Sequence, residues 1–419
     1  MPNKAFTSLI GALLGLAVFA LAAGPAAAVT DVFLRAEAVT MNFPNGLGGT
    51  NAVPMWGFAQ DTAFGAGDGG PASVPGPVLK VPPGETVLRI HLDNNLAEPI
   101  SIHVNGLIGT NGGPVFSEMG DGAVYSSARP AGNFTARARS FAQETPPGNS
   151  TPVIYQFNLR PGTYLYSSGT NPAKQVQMGL YGALAVDAAT GQAYAGVAYT
   201  RDVVLLYSEV DPAIHAAVAL GTYGPGGTIT SSVNREPRYF LINGMAYDPT
   251  GPNGGGLDPV AFVDFYDKVL LRVLNAGYET HAPTMLNAQM KVVAEDGNPF
   301  NYAQEQYGFE LPAGKTIDAV LTPAAPGKYS IHDATLHLTN DGAAAPGGML
   351  AYLGVGCAGD LDQNGIINFA DLALLRASFG TTCTPGTPCP GDINKDGSVN
   401  FVDMNLLRAS FGASGCPIP

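Results

Sequence analysis

Charge is scarce in this 419-residue chain. Only 13% of the residues are Asp, Glu, Lys or Arg, and 20 basic residues face 33 acidic ones, for a formal net charge of −13. Binding to phosphate backbones needs clustered Lys and Arg, so nucleic acid and anionic membranes are excluded as partners. Cysteine is rarer still, with four residues at 357, 383, 389 and 416. The first 356 residues therefore hold neither a disulfide nor a thiolate. The four that exist permit three pairings. Past residue 23 no stretch is apolar enough to span a bilayer. No Gly-x-Ser-x-Gly elbow and no Gly-rich phosphate loop occur. Carboxylate pairs such as Glu295-Asp296 read as turn residues, and Ser167 and Ser168 have no base near them in sequence.

What is abundant is punctuation: 54 glycines and 34 prolines. Many turns and few strong helix formers point to a mainly β body. Short strand-like runs recur between these breakers. Val87-Leu-Arg-Ile-His-Leu92 alternates, Leu180–Val186 and Val269–Leu274 read as buried runs, and Val153–Asn158 and Val203–Tyr207 lie between. Regular short strands with turn signals predict β-sandwiches. The same grammar appears in two halves. Pro82-Pro-Gly-Glu85 and Pro161-Gly-Thr-Tyr-Leu-Tyr166 have counterparts in Leu311-Pro-Ala-Gly314 and Pro326-Gly-Lys-Tyr-Ser-Ile331. Two related domains, 29–195 and 200–355, are expected, with the glycine-rich stretch 250–256 a loop in the second.

At the N-terminus, Lys4 precedes an apolar run from Ala5 to Ala23 and small residues ending in Ala26-Ala-Ala28. This reads as a signal peptide, residues 1–28, cleaved after Ala28, with an uncleaved anchor as the alternative. Export to the cell exterior, the cell surface or a periplasm follows, and makes disulfides expected. Sequons at Asn133 and Asn149 imply surface loops.

The most specific pattern lies near the C-terminus. Asp360-Leu-Asp362-Gln-Asn364-Gly365-Ile366-Ile-Asn368-Phe-Ala-Asp371 is repeated 32 residues later as Asp392-Ile-Asn394-Lys-Asp396-Gly397-Ser398-Val-Asn400-Phe-Val-Asp403. Oxygen-bearing side chains fill loop positions 1, 3, 5, 9 and 12, glycine fills position 6, and position 7 offers a backbone carbonyl. Ca²⁺ takes six to eight hard oxygen ligands, and a loop delivers them from alternate positions. Two calcium sites are expected, one per loop. Each loop runs into a helix ending in Leu-Leu-Arg-Ala-Ser-Phe-Gly, at 374–380 and 406–412. No helical stretch precedes either loop, and position 12 is Asp rather than the Glu of an ordinary EF-hand.

This loop-then-helix duplication resembles a type I dockerin over Cys357–Cys416. The resemblance implies docking onto a cohesin-like or other extracellular protein. It implies the calcium ligands Asp360, Asp362, Asn364, Asn368 and Asp371, with the Ile366 carbonyl, and Asp392, Asn394, Asp396, Asn400 and Asp403, with the Ser398 carbonyl. Its pseudo-twofold places each loop start beside the other repeat's helix end, which favours Cys357–Cys416 and Cys383–Cys389. Dockerins of cellulosomes often carry hydroxyl residues at loop positions 10 and 11, where this chain has Phe369-Ala370 and Phe401-Val402. A calcium-stabilised cap without a partner is the alternative.

The body resembles the cupredoxin domains of multicopper oxidases over residues 70–355. Gly76–Val87 matches the opening strand pair. Ser101-Ile-His-Val-Asn-Gly106 stands at the His-x-His-Gly copper motif, and Gly162–Gly169 with Gly179–Gly182 at the His-x-His motif and the strand after it. Leu241–Gly244 and Leu274–Gly277 follow in order, and His281-Ala-Pro-Thr-Met-Leu286 falls on His-x-x-His-x-His. The resemblance implies two Greek-key sandwiches and copper. Its ligand positions, however, hold Asn105, Ser167, Gly169, Thr284 and Leu286 where imidazoles belong. The fourth motif, His-Cys-His, is met only by His332-Asp333-Ala334. His103, His281 and His332 are what remains, one per site by family role, and imidazole or thiolate is what copper requires. These three are expected to hydrogen-bond within an interdomain seam. His91 is expected to be solvated, His215 to sit on a helix surface, and His337 to lie near His332 or point elsewhere. The reading is a non-redox binding or structural body joined to a partner through calcium-ordered helices. The alternative is a copper oxidoreductase using His103, His281, His332 and His337.

Overall fold

The computed structural model describes residues 28–45, 48–110, 115–117, 124–125, 137–249, 260–341, 346–384 and 389–418. The signal segment up to residue 27, the Asn133 sequon and the loop 250–256 lie outside the described residues.

One strand-pairing scheme occurs twice. In the first half, Val29–Pro44 lies parallel to Val87–Asn94, which pairs antiparallel with Val153–Asn158. Facing it, Leu79–Val81 runs parallel to Tyr181–Val186, followed by Gly162–Ser167 and His103–Val104. In the second half, Arg201–Val210 lies parallel to Val269–Asn275, which pairs with Thr316–Leu321. Facing it, Ala261–Val263 runs parallel to Leu350–Val355, followed by Gly327–Asp333 and Pro283–Met285.

The sequence explains which strands are half-buried and which are central. Val87–Asn94 alternates between buried and partly exposed residues, as a strand with one face on a core must. Tyr181–Val186 and Val269–Asn275 are buried at every position, matching their continuous apolar runs. Each half has its own apolar core. A third cluster, including Phe43, Met55, Leu165, Leu206, Tyr239 and Leu274, joins the halves. At this seam Gly244, at φ +75°, lets the second half touch the first, because a Cβ there would sit 2.0 Å from the Val74 carbonyl oxygen.

Among the described residues there are four helices, all short. Helix α1 (Pro172–Gln175) and helix α2 (Pro212–Ala219) lie at the seam, and α2 is capped by Asp211, which accepts from the Ala213 and Ile214 N–H groups. Helices α3 (Phe369–Ser378) and α4 (Phe401–Ser410) form the C-terminal module. Both start in a capping box: Asn368 with Asp371, and Asn400 with Asp403. Both stop where Gly380 and Gly412 take positive φ, which accounts for the repeated Ser-Phe-Gly ending. The module's small core is Ile367, Leu375, Ile393, Val399, Leu407 and Cys416. Disulfides Cys357–Cys416 and Cys383–Cys389 staple it, the two pairings that the resemblance favours.

Candidate functional site

The two loops of the C-terminal module fold almost identically. In the first, the Asp360 carboxylate accepts from the N–H of Asn364 (3.1 Å) and Gly365 (2.9 Å), and Asp371 accepts from Leu361 (2.7 Å) and Asn368 (2.8 Å). In the second, Asp392 accepts from Asp396 (3.1 Å) and Gly397 (2.9 Å), and Asp403 from Ile393 (2.8 Å) and Asn400 (2.8 Å). The position-9 asparagines and position-12 aspartates thus serve the helix caps as well as the loops. Ligand oxygens of Asp360, Asp362 and Asp371 lie within 4.8 Å of one another. Burial, with Asp371 and Asp362 close by, holds the Asp360 carboxyl above its ordinary range. Crowded carboxylates whose mutual repulsion lacks a counter-charge are a donor set that a hard cation fits.

The module's apolar surface is equally regular. Phe369 packs on Phe411 (ring centroids 5.0 Å apart) and Phe401 on Phe379 (5.1 Å), so each position-10 phenylalanine meets the other repeat's terminal one. Phe369 and Phe401 nevertheless stay 75% and 69% exposed.

In the body, the positions of the first and second copper-type motifs meet. His103 pairs across the strands with Ser167, and a Cβ on Gly169 would lie 3.3 Å from His103 Nδ1. Only one imidazole stands there. Burial holds it below its ordinary pKa, and its Nδ1 has no hydrogen-bond partner among the described residues. The third and fourth motifs also meet, with Thr284 paired to His332. His332 alternates with the inward-facing Ile331 and Asp333 and lies half-buried. Neither His103 nor His332 belongs to a group of three potential ligands among the described residues.

His281 does belong to such a group, with Asp333 and His337. Its Nδ1 lies 3.0 Å from Asp333 Oδ2 and its Nε2 2.8 Å from Glu209 Oε1. Burial alone would lower its pKa, but the hydrogen bonds to Asp333 and Glu209 prevail and raise it to about 9. Asp333 is held well below the carboxylate range: its burial opposes this, and hydrogen bonds from His281, His337, Thr335 and the Ala282 N–H overcome it. His337 lies next to Asp333 and 3.2 Å from Glu279, not against His332.

Three sequence expectations need correction. His215 is fully buried, not on a helix surface. Helix α2 turns it onto the first half, where Nδ1 meets the Pro54 carbonyl (2.8 Å) and Nε2 meets Gln177 (3.4 Å). His91 is half-buried and paired with Asp31 at 2.7 Å, its ring 4.6 Å from Phe33, rather than solvated. The histidine that hydrogen-bonds across the seam is His215. His281 finds its partners inside the second half, and Nδ1 of His103 finds none.

Burial pushes the His215 pKa down to about 4. The unfolded chain takes up a proton near pH 6.5 that the folded chain refuses. Its stabilising contribution is therefore complete above about pH 6.5 and is lost as the pH falls toward 4, by up to about 3 kcal/mol. Urea melts at pH 7.5 and 4.5 should show that loss reduced by about this amount in His215→Gln; an equal loss in both proteins would refute it.

Comparison with known proteins follows the same division. Residues 216–354 match the family model "Multicopper oxidase", and residues 358–412 match "Dockerin type I domain". Among solved structures, the blue copper oxidase from Nitrosomonas europaea superposes with TM-score 0.56 at 19% identity, over 78% of this chain and 86% of that one. The multicopper oxidase mgLAC gives 0.55 at 22% identity, over 78% and 86%. The copper nitrite reductase from Nitrosomonas europaea gives 0.53 at 19% identity, over 78% and 94%. A multicopper-oxidase-like body carries a type I dockerin-like module. A sequence comparison with curated proteins returns no match.

The copper chemistry implied by that body does not fit its residues. A blue-copper centre needs a thiolate, and Asp333 stands at the cysteine position of the His-Cys-His motif. A trinuclear cluster needs convergent imidazoles, and the joined first and second motifs supply His103 alone with Ser167 and Gly169. By contrast, the donor set of the dockerin-like loops suits the calcium of that module family. Sequence reasoning missed Glu209 and Glu279. The signal for Glu209 was a carboxylate at the end of a strand otherwise apolar from Val203 to Tyr207.

Proposed function

We propose that this is an exported, non-redox β-body that docks through residues 357–416 onto a cohesin-like extracellular partner. The observation that carries the reading is the pair of symmetric, exposed aromatic contacts, Phe369–Phe411 and Phe401–Phe379, on a calcium-loop frame. In this reading Asp360, Asp362, Asn364, Asn368, Asp371 and the Ile366 carbonyl hold one Ca²⁺. Asp392, Asn394, Asp396, Asn400, Asp403 and the Ser398 carbonyl hold a second. The ions fix the loops, the loops fix the first turns of α3 and α4, and the helices present Phe369 and Phe401. Apolar side chains at position 10 favour a partner with an apolar acceptor surface over one that reads hydroxyl groups.

The test is capture from the producer's secreted fraction with the full chain as bait. A partner retained in calcium and released by chelator is the expected result. Phe369→Ala with Phe401→Ala should weaken capture by roughly 2 kcal/mol or more, as for buried aromatic anchors. Capture indifferent to calcium and to both phenylalanines would overturn the docking reading. Stoichiometric copper with oxidation of phenols after reconstitution would overturn the non-redox reading.

A further inference from the structure

The two halves share one frame but differ at one spot. His281 bridges to Leu311 as Ile100 bridges to Thr145, and His332–Thr284 pairs as Ser167–His103 does. Ile100 and Ser168 in the first half therefore correspond to His281 and Asp333 in the second. The fold is built with an isoleucine and a serine in one copy, so it does not itself demand an ionic cluster in the other.

The cluster is arranged like a ligand set. Two imidazoles aim Nδ1 at one oxygen: His281 at 3.0 Å and His337 at 2.7 Å from Asp333 Oδ2. Each turns its other nitrogen to a separate carboxylate, Glu209 for His281 (2.8 Å) and Glu279 for His337 (3.2 Å). Outer carboxylates of this kind fix the tautomer of a ligating histidine. Each ring now shares its Nδ1 proton with Asp333, and a divalent cation at that point would take the place of those protons. Thr335 Oγ1, 2.9 Å from His337 Nδ1, is a fourth donor atom at the same point.

The surroundings hold these groups in place. Phe240 stacks on the His337 ring at 4.2 Å, and Tyr207 lies 5.7 Å from His281 with a buried hydroxyl that has no partner among the described residues. Glu209 is anchored by the N–H groups of Tyr278 (2.9 Å) and Glu279 (3.0 Å). Gly277 makes room for it, since a Cβ there would stand 2.0 Å from Glu209 Oε2. His281 and Asp333 are fully buried, while the His337 side chain keeps 23% of its exposure and gives the site a path to solvent.

We propose that His281 Nδ1, His337 Nδ1 and Asp333 bind one divalent cation of the Zn²⁺ class, with Thr335 or water as the fourth ligand and Glu209 and Glu279 as the outer partners. A tetrahedral ion at about 2.0–2.1 Å from each donor needs donors about 3.3 Å apart. The present spacings would open by a few tenths of an ångström. Two imidazoles and one carboxylate, with no thiolate, suit Zn²⁺ or Co²⁺ in a site without electron transfer.

The test uses the full chain, saturated with calcium so that the dockerin-like loops are filled, and dialysed against Zn²⁺ or Co²⁺ near pH 7.5. The expected result is one Zn²⁺ per chain, and visible d–d bands of low-coordinate Co²⁺. His337→Ala, at the accessible edge, should lower affinity at least tenfold. Glu279→Gln should lower it roughly 10- to 100-fold, as outer-partner losses do. His281→Ile, which copies the first half, should abolish uptake while preserving the β circular dichroism. No stoichiometric uptake by the wild type, or uptake unchanged in all three variants, would overturn the proposal.

Discussion

Stripping calcium is expected to melt residues 357–416 and leave the β-sheets folded. Apart from its two disulfides, the module has little else to hold it. Its core is six buried residues, and its loops crowd Asp360, Asp362 and Asp371 within 4.8 Å. With the ions gone, those carboxylates repel, and the capping boxes built on Asp371 and Asp403 lose the loops that place them. Binding to a site that exists only in the folded state stabilises it by RT ln(1 + [L]/Kd), about 4 kcal/mol per site at a thousandfold excess. Two such sites amount to most of the stability of a small domain. The disulfides should keep the melted segment compact. Calorimetry with and without chelator is the measurement: an early transition should move to low temperature while a later one stays. A single transition that chelator shifts as a whole would show that the module and the body unfold as one unit.

Arg272→Leu should cost about 3–5 kcal/mol, the usual penalty for breaking a buried ion pair by removing one partner. Arg272 is 1% exposed on the central Val269–Asn275 strand. Its guanidinium reaches Asp187 at 2.6 Å, Asp202 at 3.3 Å and the Thr163 hydroxyl at 3.1 Å. Thr163 in turn donates to Asp318 at 2.5 Å, and Tyr194 donates to the other Asp318 oxygen at 2.5 Å. Residues of both halves thus share one buried cation; without it Asp187 and the buried Asp318 lose their counter-charge, while Asp202 keeps Lys80 at 2.9 Å. Urea denaturation of the wild type and variant gives the difference. Adding Asp318→Asn to Arg272→Leu should recover part of the loss, because the two sites are coupled. A loss below about 1 kcal/mol, or additive losses, would contradict this account.

Arg272 also marks where sequence reading stops. Periodicity made its strand legible: an apolar run between breakers is a central strand whatever its partners. Periodicity was silent on why an arginine stands inside that run, because Asp187 and Thr163 come from 85 and 109 residues away. The two twelve-residue loops were legible as loops, since each carries its own hydrogen-bond partners, Asp360 and Asp371 in the first and Asp392 and Asp403 in the second. His215 was misread for the opposite reason. Its neighbours Pro54 and Gln177 lie 161 and 38 residues off, and a short Ala-rich helix gives no hint of which face is covered. The His281 cluster was half legible. The motif located His281 and Asp333, but Glu209, 72 residues from His281, joins them only once two strands lie side by side.

The two calcium repeats match closely in their loop and helix residues, yet they do not have equivalent neighbours. Lys395, the fourth residue of the second loop, is paired with Asp264 of the β-body at 2.9 Å, while the first loop has Gln363 at that place. The second loop has an ion pair to the body where the first has a neutral side chain. Together with Tyr266, which packs on the module's core, that pair ties the orientation of the second loop to the β-body, and Lys395→Gln would loosen it.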